Sequence, residues 1–249
     1  MGNAEAIDRR HRQRGLRLGG ACLGLAAALA LLLGLGAPSA TPKGQIVVHG
    51  AHSGSHLRLF VRGPRLVVRG YMTHSAPRGC RFKRGRMIAV CRLSRAGSIE
   101  VRMGPSGDMV EVEDRLPVPL TIYLGGGSDK FIGNGESDTC YPGGARRNRC
   151  VGGGGRDICI TGNRNSDCVG GAGRDYCQHG AGSDGCWGGP GRDVCHMGAG
   201  QDGCHGGRGD DMLFGGPGQD RLYGQAGRDH CDGQGGWGKS QGCEAGPRR

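Results

Sequence analysis

Between Leu124 and Asp232 the chain repeats a nine-residue unit about twelve times. Clear copies are Gly152-Gly-Gly-Gly-Arg-Asp157-Ile-Cys-Ile160, Gly170-Gly-Ala-Gly-Arg-Asp175-Tyr-Cys-Gln178, Gly188-Gly-Pro-Gly-Arg-Asp193-Val-Cys-His196 and Gly215-Gly-Pro-Gly-Gln-Asp220-Arg-Leu-Tyr223. A strict short period confines the chain to repeat architectures, in which each unit buries its apolar side only against its neighbours. Glycine tolerates positive φ, so the six residues up to the Asp can turn tightly. The next three, x-U-x, suit a short strand with U inward and its neighbours outward. Two units then close one coil, and coils stack through parallel strands. The alternative is a flexible Gly-rich linker, but a linker has no reason to keep Asp and U in phase.

The unit, G-G-x-G-x-D-x-U-x, resembles the calcium-binding nonapeptide of the RTX (hemolysin-type) family. The resemblance implies an all-β parallel β-roll and calcium as the ligand. Elementary electrostatics points the same way. Asp residues two units apart stack at about 4.8 Å, and like charges at that spacing repel by about 1 kcal/mol or more. Calcium is a hard cation that takes 6–8 oxygens from carboxylates and main-chain carbonyls, so its binding offsets that repulsion. The expected calcium ligands are Asp129, Asp138, Asp157, Asp175, Asp184, Asp193, Asp202, Asp211, Asp220 and Asp229. Alternate units share an edge of the roll. One edge carries Asp138, Asp157, Asp175, Asp193, Asp211 and Asp229 without a gap. The other is interrupted by Asn148 and Ser166. Arg156, Arg174, Arg192 and Arg228 directly precede an Asp and should weaken calcium binding somewhat.

With 55 glycines and 4% aromatic residues in 249, the chain is poor in large apolar side chains for a conventional core. A solenoid needs only a thin inward stripe. The net charge of +11 is unevenly placed. Residues 41–123 hold 14 basic and 5 acidic side chains, whereas residues 124–249 hold 14 and 15. The basic character therefore precedes the repeats. The expected organisation is an export signal over 1–40, a basic β-rich cap over 41–123, the calcium-binding roll over 124–232 and a degenerate C-terminal cap over 233–249. Arg9, Arg10, Arg12, Arg14 and Arg17 precede an Ala/Leu-rich apolar run from Ala21 to Leu35, with small residues at Ala37–Ala40; this is the pattern of a signal peptide. An uncleaved anchor is the rival reading, and only then would the membrane be a partner. Either places the repeats outside the cytoplasm or on the cell surface, after Sec-type export.

The cap carries two hairpin patterns. Leu57–Arg62 and Arg65–Arg69 flank Gly63-Pro64, and Cys80 and Cys91 bracket Lys83–Arg86. Alternation puts Arg58 and Arg62 on one face of the first strand, and Arg65 and Arg69 on one side of the second. These four are the candidates for binding an anionic glycan or envelope polymer. The absence of interleaved aromatics speaks against nucleic acid. The segment reads as an irregular start of the same solenoid, capping one end, rather than as a separate domain. No P-loop, H-E-x-x-H or Ser-His-Asp order appears, and His49, His52 and His56 read as loop histidines. His179, His196, His205 and His230 read as outward repeat positions. The chain is therefore read as a binding or structural protein, the alternative being a secreted enzyme with its site in residues 41–123.

Nine of thirteen cysteines stand at U: Cys140, Cys150, Cys159, Cys168, Cys177, Cys186, Cys195, Cys204 and Cys231. An exported chain can recover by oxidation the burial lost when Cys replaces Leu. Cys80–Cys91 is expected from the hairpin, and Cys231–Cys243 from its likeness to a terminal pair in related repeat proteins. The other eight can pair along the roll, as Cys140–Cys159 and onward, or across it, as Cys140–Cys150 and onward. Axial neighbours lie within disulfide reach, while packed sheets usually stand about 10 Å apart, which favours axial pairing. Free thiols serving as small core residues are the simplest alternative. Metal–thiolate clusters are disfavoured because no C-x-x-C pair occurs.

Overall fold

The computed structural model describes residues 44–51, 54–72, 80–83, 87–143, 147–235 and 238–244. The export-signal region and His52 lie outside these. The described residues form a parallel β-solenoid of about eight turns, with almost no helix. The chain alternates between two sheets. The first has nine strands, from Gly44–His49 through Ala96–Arg102, Leu120–Tyr123 and the repeat strands to His230–Asp232. The second has twelve, and its parallel part runs from His56–Arg62 through Met109–Val112 to Lys239–Gln241. Parallel pairing thus starts well before the first good repeat. An antiparallel excursion departs from the first coil: Arg65–Arg69 pairs with His56–Arg62 and with Ile88–Arg92, which also pairs with Cys80–Lys83.

Register is strict where the repeat is strict. Cys159 stacks on Cys177 and Cys177 on Cys195 in the first sheet. In the second sheet Cys150, Cys168, Cys186 and Cys204 stack in the same way. A nine-residue period forces this result, since a one-residue slip would turn every inward side chain outward. The core changes character along the axis. Leu57, Leu59, Ile99, Val110, Leu120, Ile122 and Phe131 fill the first coils. Cysteines from Cys140 to Cys204 fill the middle, and Leu213 and Leu222 close the far end. Outward positions build ring stacks at strand spacing. Tyr123 lies on Tyr141 with centroids 4.9 Å apart, His196 on Phe214 at 4.5 Å and His205 on Tyr223 at 4.7 Å.

The disulfides run across the core, not along it. The structure joins Cys140 to Cys150, Cys168 to Cys177 and Cys186 to Cys195, with Cα separations of 6.4, 6.3 and 6.6 Å. The axial pairing favoured on sequence grounds is therefore corrected. Its premise was a 10 Å gap between sheets, but a core of small Cys side chains lets the sheets approach within disulfide range. Stacked cysteines in one sheet also project in parallel, so their Cβ atoms do not converge. Each cross-core bridge closes a loop of about ten residues and contributes about 3 kcal/mol in the chain-entropy view. Cys159 and Cys204 are buried free thiols, so the ladder is not complete. Burial pushes both thiols well above their ordinary pKa. Cys80–Cys91 ties the inner hairpin and Cys231–Cys243 the C-terminal coil.

Candidate calcium-binding edges

The Asp of each unit ends the Gly-rich turn and is turned inward. Asp138, Asp157, Asp175, Asp193, Asp211 and Asp229 are all buried on one edge, and Asp129, Asp184, Asp202 and Asp220 on the other. Their two carboxylate oxygens have different fates. Oδ1 staples consecutive coils: the Asp138 amide donates to Asp157 Oδ1 at 2.8 Å, and the Asp157 amide to Asp175 Oδ1 at 2.8 Å. The row continues through Asp193, Asp211 and Asp229. Oδ2 accepts nothing. In all ten of these Asp residues it is buried without a hydrogen-bond partner.

An ionised oxygen buried without a donor costs several kcal/mol unless something positive reaches it. Here it lowers proton dissociation. Burial, together with the neighbouring Asp157 charge, pushes the Asp138 carboxyl up to about 8. Burial likewise raises Asp157, Asp184 and Asp193 to about 7, and Asp129 and Asp202 to about 6. Asp175, Asp211 and Asp220 are also raised by burial. A row of inward carboxylates, each with one oxygen spare and beside main-chain turns, is a donor set that fits a hard cation such as calcium. The same ten residues are those selected from the sequence.

On the gapless edge the first Gly of each unit is part of this arrangement. A Cβ on Gly152 would lie 2.1 Å from Asp157 Oδ2, and one on Gly188 would lie 2.5 Å from Asp193 Oδ2. At these glycines a side chain would overlap the carboxylate. On the gapless edge Gly133, Gly152, Gly170, Gly188, Gly206 and Gly224 all hold this place. On the second edge it is held by Leu124, Pro142, Thr161, His179 and Met197, with a Gly only at Gly215. These substitutes point into the core, as strand alternation requires two residues after U. His179, read as outward, is in fact buried. Its Nδ1 lies 3.1 Å from Thr161 Oγ1 and 3.9 Å from Asp184 Oδ1. Burial lowers its pKa to about 4, so it is neutral at pH 7 and does not act as a counter-charge to Asp184. The sequence signal that marks this edge is the missing Gly, and the reading from Asp positions alone overlooked it.

The second edge is also interrupted chemically. Asn148 Oδ1 accepts from the Asp129 amide at 2.8 Å, and its Nδ2 donates to the Pro142 carbonyl at 3.0 Å. The Ser166 hydroxyl donates to the Arg164 carbonyl at 3.0 Å. Both residues are neutral and satisfied, and neither has a spare oxygen like that of the Asp residues. At the first coil Asp108 differs again. Its Oδ1 accepts from the Ser55 amide and its Oδ2 from the Gly104 amide, so it is a capped end of the row.

The four cap arginines lie together. Arg58 stands opposite Arg69 and Arg62 opposite Arg65 across the hairpin, with Phe60 opposite Val67 between them. The guanidinium carbons of Arg62 and Arg69 sit 5.4 and 5.6 Å from the Phe60 ring centroid. Arg58 also meets Glu111 at 3.4 Å and Glu113 at 3.3 Å, which neutralises part of that corner.

Comparison with known families matches residues 121–140 and 205–236 to the RTX calcium-binding nonapeptide repeat, in four copies. No curated protein and no solved structure matches the chain. The matched stretches lie at the two ends of the repeat array, and the units between them stack in the same register, with an inward Asp everywhere except at Asn148 and Ser166. At both ends of its repeat array, over residues 121–140 and 205–236, the solenoid carries RTX calcium-binding nonapeptide repeats.

Proposed function

We propose that the chain is an exported calcium-binding solenoid with a structural or surface-interaction role, whose cap, residues 41–123, holds an anionic glycan or envelope polymer. The observation that carries it is the set of ten buried, partnerless Asp Oδ2 atoms. Bound calcium would supply the positive charge these oxygens lack. Asp129, Asp138, Asp157, Asp175, Asp184, Asp193, Asp202, Asp211, Asp220 and Asp229 would hold it. The chain's own part is to fix the carboxylates: in nine of the ten the Oδ1 accepts from an amide of the preceding coil, and on the gapless edge the first Gly leaves room for Oδ2. Residues 124–232 act as the calcium-dependent roll and 233–249 as its terminal cap. Twelve cysteines at most survive signal removal, and their oxidation fits a compartment outside the cytoplasm.

Arg58, Arg62, Arg65 and Arg69 form the partner face in this reading. Phe60 lies against two of the guanidinium groups, and planar guanidinium pairs well with carboxylate or sulfate. The reading assigns no catalysis. Its test is retention on a column of an acidic polysaccharide, in calcium, as salt is raised. Exposed charge attraction fades as the Debye length shortens, so elution at moderate salt is expected. Replacing the four arginines by Ser should abolish retention without changing calcium binding. Retention unaltered by that replacement would refute the partner assignment.

A further inference from the structure

The cross-core disulfides are out of phase with one another. The cysteines alternate between sheets in sequence order: Cys140 in the first, Cys150 in the second, and so on to Cys204 in the second. Cys140–Cys150 is a step from first sheet to second. Cys168–Cys177 and Cys186–Cys195 are steps from second to first. The pairing slips by one cysteine between them, and the slip leaves Cys159 unpaired at one end and Cys204 at the other. The opposite phase, Cys159–Cys168, Cys177–Cys186 and Cys195–Cys204, would leave no thiol. Each of its bridges repeats the step that Cys140–Cys150 already makes with a Cα separation of 6.4 Å.

The route between the phases is short. The Sγ atoms of Cys177, Cys186 and Cys195 all lie within 4.8 Å of one another, so the sulfur at the end of one bridge borders the next bridge. Cys159 and Cys204 cannot join directly. They stand in opposite sheets, two and a half coils apart, or about 12 Å along the axis at strand spacing.

We propose that the six cysteines from Cys159 to Cys204 form a redox site with two pairing phases, linked by internal thiol–disulfide exchange and closed by a low-molecular-weight disulfide. Cys159, losing its proton, attacks the Cys168 sulfur; the Cys159–Cys168 bond forms and Cys168–Cys177 breaks. The thiolate released at Cys177 attacks Cys186; Cys177–Cys186 forms and Cys186–Cys195 breaks. Cys195 leaves as thiolate and takes up a proton. Two disulfides and two thiols exist before and after, so no net oxidation has occurred. The thiol has moved from Cys159 to Cys195, beside Cys204. A small disulfide then accepts two electrons and the two thiol protons from Cys195 and Cys204. It leaves as two small thiols, and a third bridge remains in this segment. Exchange of this kind runs through mixed-disulfide intermediates and is set by which sulfur can be reached. Close approach of the Cys177, Cys186 and Cys195 sulfurs is what would let two distant thiols be oxidised as a pair.

The test uses the full mature chain, refolded from the reduced state in calcium and then incubated with glutathione disulfide. Samples are acid-quenched, alkylated under denaturing conditions and mapped without reduction. Cleavage at Asp167, Asp175, Asp184, Asp193 and Asp202 separates every cysteine in the run. The expected first state has label on Cys159 and Cys204, with Cys168–Cys177 and Cys186–Cys195. The expected end state has no label and the pairs Cys159–Cys168, Cys177–Cys186 and Cys195–Cys204. Cys159→Ser should hold the first phase, with Cys204 alone labelled or capped by glutathione. Should refolding yield the closed state at once, one equivalent of dithiothreitol should return label to Cys159 and Cys204; label confined to Cys195 and Cys204 would overturn the proposal. So would a wild-type chain that keeps Cys168–Cys177 and Cys186–Cys195 and gains glutathione on Cys159 and Cys204. Rearrangement in Cys159→Ser matching wild type would also overturn it.

Discussion

The Asp138 amide donates to Asp157 Oδ1 at 2.8 Å, and this one bond leaves Asp157 Oδ2 buried with nothing to accept from. The relationship recurs at Asp175, Asp193, Asp211 and Asp229 on the same edge and at Asp129, Asp184, Asp202 and Asp220 on the other. It separates two roles within one carboxylate. One oxygen holds neighbouring coils in register, and the other is a charge-bearing atom that the fold itself does not satisfy. A metal-free roll therefore contains its own opposing term, and the predictions follow from where that term is strong, weak or absent.

Acid should steady the metal-free roll. Asp138, Asp157, Asp184 and Asp193 have folded pKa values of about 7 to 8, above the ordinary carboxylate value near 4. A raised folded pKa gives stability that is complete below the unfolded value and is lost as pH rises through the folded one. Metal-depleted protein should thus melt at a higher temperature at pH 5 than at pH 8. In calcium the order should reverse, because protons compete for the same oxygens. Calorimetric titration at pH 7 in buffers of different ionisation enthalpy should show protons released on calcium binding.

Filling the gap should add sites. Asn148→Asp with Ser166→Asp places two carboxylates between Asp129 and Asp184, in the positions that register assigns them. Calcium stoichiometry by equilibrium dialysis should rise in the double variant. Wild-type crystals grown in calcium should show full occupancy along the Asp138–Asp229 edge and little around Asn148 and Ser166. Equal occupancy of both edges at those levels would contradict the asymmetry.

On the gapless edge the first Gly of a unit should not tolerate a methyl group. In Gly188→Ala the new Cβ would meet Asp193 Oδ2 at 2.5 Å and the Gly206 carbonyl at 2.5 Å. A cost of about 1–3 kcal/mol is expected, together with weakened calcium binding. Gly203→Ala is the control, since a Cβ there meets nothing within 4 Å; its effect should be within about 0.5 kcal/mol. Chemical denaturation in calcium compares the two.

Much of this was legible in the sequence because the period is strict. Asp157 and Asp175 are 18 residues apart, and two nine-residue units make one coil, so their stacking follows from counting. Alternation placed Cys159 inward and Tyr176 outward for the same reason. The pairing of the cysteines was not legible. It depends on how closely the sheets approach, and the 6.3–6.6 Å separations are a collective result of many small side chains. His179 was misplaced because a turn residue was assumed to face outward, whereas strand alternation carries on into the first turn position. The antiparallel excursion through Cys80–Lys83 and Ile88–Arg92 shows as two hairpin patterns, but nothing local says that it departs from an already formed coil. The two fates of Oδ1 and Oδ2 need atomic geometry, and no pattern of residue types contains them.

In the proposed reading the ten partnerless Asp oxygens make the roll depend on calcium. Far-UV circular dichroism of the oxidised, metal-depleted mature chain at pH 7.5, before and after calcium is added, tests it most directly. A gain of β signal saturating with calcium, absent with magnesium and cooperative in thermal melting, is the predicted result. A spectrum and melting curve unchanged by calcium would contradict the account.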